Sequence, residues 1–128
     1  MMKRVHLTVS EWNVLTCLWE HSPQTVMQLV ARLQEEVGWA KSTTITTLRR
    51  MEEKGLVTVE VEDKGKRYTP AVEQEAAALA ETESFLRRVY RGSVSLMMSA
   101  MAQRQQLSKE DIRQLRAILD QMEEGGDV

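Results

Sequence analysis

The chain reads as mainly α-helical with one small β-hairpin. Three observations predict this. Apolar residues recur at helical spacing through most of the 128 residues. Leu56–Glu62 instead is rich in β-branched residues and alternates apolar with polar, ahead of a turn at Asp63-Lys64-Gly65 and a short return to Thr69. Beyond Pro70 the strand signals vanish and only helical stripes remain.

Thr8-Val-Ser-Glu11 predicts a capping box that opens a first helix. Trp12, Leu15, Leu18 and Trp19 follow as its buried stripe. Cys17 lies in this helix and reads as a small packed thiol. His21-Ser-Pro-Gln24 is a breaker. Thr25-Val-Met-Gln28 predicts a second capping box, with Val26, Leu29, Val30 and Leu33 as the stripe and Gly38 as the end.

A third helix spans 41–54. Ile45, Leu48 and Met51 fall on one side. Thr43, Thr46, Thr47, Arg50 and Lys54 fall on the other, which holds hydroxyls and cations but no carboxylate. Gly55 stands where a closing glycine is expected. Such a helix is about 20 Å long and fits a major groove about 12 Å wide; it fits an ordinary solvated face equally well. Three short helices ending in this one predict a helix-turn-helix core.

Leu56–Glu62 predicts a strand, Asp63–Gly65 a turn, and Lys66–Thr69 the return strand, stopped by Pro70. A hairpin tipped by Lys64, Lys66 and Arg67 directly after a helix-turn-helix predicts a basic wing over 63–68.

From Glu73 three more helices are predicted. Leu79, Leu86, Val89 and Tyr90 line the first, which runs to Tyr90 and stops at Gly92-Ser93. Leu96, Met97, Met98 and Met101 line the second, Val94–Gln103. Ser108 caps the third, which presents Ile112, Leu115, Ile118, Leu119 and Met122. Glu123–Val128 reads as a frayed polar tail. A segment of this size rarely closes a stable core alone. Its stripes therefore predict pairing with a second copy about a two-fold axis. Leu86, Val89, Tyr90, Met97, Met101, Ile112, Leu115 and Leu119 are the candidate dimerisation residues. The expected division is a winged-helix DNA-binding domain at 1–70 and a helical three-helix dimerisation domain at 71–128.

The net charge is −2. Residues 1–70 carry ten basic side chains against nine acidic, and residues 71–128 carry seven against ten. Phosphate would be repelled by the second part, so DNA contact belongs to the first. One cysteine excludes an internal disulfide and suits a reducing compartment. No apolar leader core is present, and no apolar run nears the roughly 18 residues of a membrane span. A soluble cytoplasmic protein is expected, with no membrane partner. His6 and His21 are the only histidines, neither lies in a metal-spaced cluster, and no catalytic or nucleotide-binding motif appears. No enzyme, cofactor or metal is expected.

Leu7-Thr-x-x-Glu-Trp12, Leu18-Trp19, Trp39 with Thr43, Thr46, Arg50 and Lys54-Gly55, and Tyr68-Thr-Pro70 follow one another in the first part. Phe85-Leu86, Tyr90, Gly92, Leu107-Ser108, Asp111-Ile112, Leu115-Arg116 and Ile118-Leu119 follow in the second. In that joint order the chain resembles the BlaI/MecI penicillinase repressors and their CopY copper-responsive relatives over nearly its whole length. The resemblance implies a homodimeric winged-helix transcriptional repressor on a pseudo-palindromic operator. It also implies relief by a sensor or protease pathway, often through cleavage within the dimerisation helices.

Four departures stand out. Ala40-Lys41-Ser42 occupy the place of the family's frequent Ser-Pro-Lys, and the wing is about two residues short. Ala100-Met101 occupy the place of the Asn-Phe pair cleaved in the β-lactam repressors, so relief by that cleavage is not expected. The C-terminal part lacks the cysteines of the copper-responsive branch, so copper sensing by that route is not expected.

Ser42, Thr43, Thr46 and Thr47 are the candidates for base edges. Lys41, Arg50, Lys54, Lys66 and Arg67 are the candidates for phosphate, with guanine the alternative for Arg50. Thr25 either simply caps the second helix or brings its free N–H groups to a phosphate. Trp39 is expected to pack the hinge. A protein-interaction module on the same fold is the competing reading, supported by the near-neutral charge of residues 1–70.

Overall fold

A computed structural model describes residues 6–125. Lys3 and Arg4 at the start, and residues 126–128 of the expected tail, lie outside the described residues. The order is α1 (Val9–Glu20), β1 (Gln24–Thr25), α2 (Val26–Val37), α3 (Lys41–Lys54), β2 (Val57–Glu62), β3 (Gly65–Pro70), α4 (Gln74–Tyr90), α5 (Val94–Gln103) and α6 (Lys109–Gly125). Glu123 to Gly125, expected to fray, thus continue α6.

Two compact units divide at Thr82 and Glu83, beyond the expected division at residue 70. The reason is local to the first unit. Trp19 Nε1 donates to the Val72 carbonyl at 2.9 Å, and Ala77 on α4 is buried.

Within the first unit, both predicted capping boxes form. Thr8 and Glu11 bond reciprocally at the start of α1, and Thr25 and Gln28 do so at the start of α2. Each satisfies two helix N–H groups that would otherwise lack a partner. Gly38 and Gly55 end α2 and α3 with φ of 76° and 79°, a region that Cβ-bearing residues avoid.

Val14, Leu15, Leu18, Leu29, Leu33, Leu48 and Met51 form the core, closed by Leu56, Val57 and Tyr68. Trp12 and Trp19 meet edge to face, with ring centroids 5.5 Å apart. Both are half-buried rather than fully enclosed. Cys17 is buried, and burial pushes its thiol pKa up. The packing of α3 is turned slightly from the expected phase. Thr44, Leu48 and Met51 face inward, and Ile45 is only half-buried.

The hairpin closes through Asp63-Lys64, with Glu62 opposite Gly65. Pro70 does not stop β3 but pairs with Val57 as its last residue. A third strand joins: β1 pairs antiparallel with β3, Gln24 opposite Tyr68 and Thr25 opposite Arg67. The sheet order is β1-β3-β2. The Gln24 side chain is buried, and its Nε2 donates to the carbonyls of Cys17 and His21. The breaker after α1 is therefore an ordered corner.

In the second unit, Ser93 caps α5 and Ser108 pairs reciprocally with Asp111 at the start of α6. Phe85 and Tyr90 stack edge to face with centroids 5.9 Å apart. None of the described residues of α5 or α6 is buried. Among the described residues no helix is long and apolar enough to cross a membrane.

Truncating Leu48, which is 1% exposed, leaves a cavity under α3. Leu48→Ala is expected to lower unfolding free energy by about 2–5 kcal/mol. Urea titration followed by circular dichroism measures it, and a loss below about 1 kcal/mol contradicts the packing of α3 on the core.

Candidate nucleic-acid interface

The inward turn of Thr44, Leu48 and Met51 leaves the opposite side of α3 outside. Lys41, Ser42, Thr43, Thr46 and Arg50 are all exposed. Ser42, Thr43, Thr46, Thr47 and Arg50 line one open polar concavity of about 300 Å³. Ser10 joins them from the first turn of α1. Nothing in the sequence around Ser10 marks it, because its place here comes from a contact between two helices far apart in the chain.

Thr47 is less available than its neighbours. Its hydroxyl donates to the Thr43 carbonyl at 2.8 Å within the helix, leaving only acceptor capacity and the methyl group. Thr44 is fully buried, and its hydroxyl has no partner among the described residues. Trp39 is half-buried and packs against the core at the entry to α3, as expected for a hinge residue.

Lys54, a candidate for phosphate, is paired with a carboxylate of α1. Its Nζ lies 2.5 Å from Glu11 Oε2, and the Glu11 side chain is only 5% exposed. The other carboxylate oxygen of Glu11 accepts the Thr8 N–H at 2.9 Å. Burial alone raises the Glu11 pKa. The hydrogen bonds from Lys54 and Thr8, with the charge of Lys54, outweigh that and hold it below the usual carboxylate range.

On the wing, Lys64 and Lys66 are exposed and form no ion pair among the described residues. Arg67 is exposed but bridges to Glu62 at 3.1 Å. Thr25 caps α2, as one of its two expected roles required, and lines a second concavity with Met27, Lys64 and Lys66. The start of α2 and the wing tip are therefore neighbours. Neither concavity is lined by a carboxylate. Among the described residues no cluster of His, Cys, Asp and Glu could hold a metal.

Three packed helices, an uncovered polar-basic face on the third and a basic hairpin define a winged helix-turn-helix protein. The chain belongs to the penicillinase repressor family, whose model matches residues 7–121. That is a family of transcriptional repressors, not of enzymes. A penicillinase repressor of Bacillus licheniformis is 28% identical over 94% of each chain. The methicillin resistance regulatory protein MecI of Staphylococcus aureus is 23% identical over 92% of this chain and 96% of its own. A similar solved structure is B. licheniformis BlaI in monomeric form with the blaP half-operator. It is 25% identical with a TM-score of 0.52, covering 59% of this chain and 93% of that one.

The lowered Glu11 pKa has a defined sign. The carboxylate titrates lower folded than unfolded, so its stabilisation is complete above about pH 4.3. It is lost as pH falls through the lower folded value. Glu11→Gln is expected to make the acid limb of unfolding free energy against pH shallower, by up to one proton. Urea titrations from neutral pH down to pH 3 measure this; an unchanged limb contradicts the pairing.

Proposed function

We propose that the protein is a homodimeric, cytoplasmic repressor that holds a pseudo-palindromic operator, with α3 in the major groove and the wing on the flanking backbone. The carrying observation is the uncovered side of α3, where hydroxyls and Arg50 share one concavity without a carboxylate. Ser42, Thr43 and Thr46 read base edges; the methyl and acceptor oxygen of Thr47 add to them. Lys41, Lys66 and Arg67 hold phosphate, and Arg50 holds phosphate or guanine. Thr25 presents the start of α2 to the same backbone. The B. licheniformis relative, solved with a half-operator at 25% identity, supports this reading.

Residues 1–70 supply the DNA contacts and residues 71–128 the dimer. Val89, Ile112 and Leu119 are exposed at 50%, 39% and 58%, more apolar surface than a lone helical unit leaves in water. An apolar cleft of about 620 Å³ between α5 and α6 includes Met98, Leu115 and Leu119. A second copy covers these with Leu86, Tyr90, Met97 and Met101 of the same surface. Relief of repression by a sensor or protease pathway is what the family likeness implies, without the Asn-Phe cleavage pair, whose place Ala100-Met101 occupy.

The test is selection of random DNA by the full chain, followed by gel shifts across a salt series. A recovered palindrome with half-site centres about 34 Å apart, or a multiple, is expected. Affinity is expected to fall steeply and linearly on log-log axes as salt rises. A flat salt response contradicts operator binding and favours a protein-interaction module. Thr46→Ala is expected to cut the preference for operator over random DNA by about 1 kcal/mol. Lys66→Ala is expected to weaken both DNAs alike and to reduce the salt slope by about one. Both substitutions being silent in the gel shifts places the contact surface elsewhere.

A further inference from the structure

We infer that the Glu11–Lys54 ion pair is a positioning device: it sets the rotation of α3 on the core, so Lys54 governs operator discrimination without touching DNA. This rests on the operator-binding reading above.

Among the described residues, the Lys54–Glu11 contact is the one side-chain hydrogen bond that joins α3 to another element. The rest of the attachment is apolar, through Leu48 and Met51. Apolar packing holds a helix down but resists small rotations weakly compared with a directional charge pair. The opposite end of α3 adds no polar anchor, because Ala40 occupies the cap position and offers no side-chain bond.

Two geometrical facts make the tie bear on DNA. Lys54 lies on the same helical stripe as Thr43, Thr46, Thr47 and Arg50, so pinning its angle pins theirs. Ser10, which lines the contact concavity, precedes Glu11 in α1. The anchor therefore sits directly beside the surface it orients. Glu11 is itself held, because its other oxygen is bound to the Thr8 N–H. A carboxylate this enclosed needs its cation, which holds the Lys54 ammonium at Glu11 although half of the lysine side chain stays exposed.

The test compares full-chain Lys54→Met, Lys54→Arg, Glu11→Gln and the Glu11→Gln/Lys54→Met double variant. Each is titrated against the selected operator and against random-sequence DNA over a salt series. Lys54→Met and Glu11→Gln are each expected to lower the operator-to-random ratio about tenfold, the worth of one good base contact. The salt slope on random DNA stays at the wild-type value. The double variant is expected to be no worse than either single one, because both remove one interaction. Lys54→Arg, which keeps the charge, is expected to restore most of the ratio. If Glu11→Gln does not fold, the comparison of Met with Arg at position 54 carries the test.

A Lys54→Met variant that weakens both DNAs alike and lowers the salt slope by about one makes Lys54 a phosphate contact and overturns the inference. An unchanged ratio in Lys54→Met overturns it as well, while wild-type discrimination leaves the repressor reading standing. Wild-type protein that prefers no DNA sequence overturns both.

Discussion

The side of α3 that packs inward determines everything the outer side can do. Thr44, Leu48 and Met51 are each at most 1% exposed, pressed against the core formed by α1, α2 and the sheet. Burying a leucine or methionine of this kind is worth about 1.5–3 kcal/mol. No arrangement that turned Arg50 or Lys41 inward instead could recover that, since an unpaired buried cation costs far more. The hydroxyl-and-cation face is thus the necessary remainder of a packing solution. It is left outside because the interior cannot accept it, and it is available because nothing else in the first unit lies over it.

Around that face, charge is distributed more purposefully than the total conveys. The first 70 residues are nearly neutral. Yet Glu11 is paired with Lys54, Glu20 and Glu36 with Arg32, and Glu62 with Arg67. Lys41, Arg50, Lys64 and Lys66 have no such partner among the described residues. Glu11 is buried, whereas the exposed pairs among these, those of Arg32 and Arg67, contribute little stability. Their effect is to withdraw carboxylates from the surface that would otherwise repel phosphate. A near-neutral protein can therefore present a locally positive surface, since within a Debye length of about 10 Å the local arrangement matters more than the sum.

The second unit follows a different logic. Its helices are well capped and amphipathic, but α5 and α6 bury none of their described residues. Leucine, isoleucine and methionine left in water at this density are more than solubility accounts for. Helical periodicity supplies the stripes, and chain length withholds the partner surface needed to cover them. Methionines at 97, 98 and 101 give this surface adaptable side chains that can fill irregular gaps.

Features closed within three or four residues were readable from the amino acids themselves. The Thr8–Glu11 and Thr25–Gln28 boxes, the glycines at 38 and 55, the limits of α5 and the turn at Asp63-Lys64 all form between near neighbours, whatever the rest of the chain does. The stripe of Thr43, Thr46 and Arg50 was equally readable, because helical periodicity is a local property. What tertiary structure decided are the pairings between distant segments. β1 exists only because Gln24 and Thr25 meet Tyr68 and Arg67. Ser10 reaches the α3 concavity, Trp19 draws residues beyond Pro70 into the first unit, and Lys54 turns to Glu11 across 43 positions. A lone cation on a polar helix face carries no sign of whether a buried carboxylate or solvent awaits it. That depends on which helix packs beside it, and so on the fold.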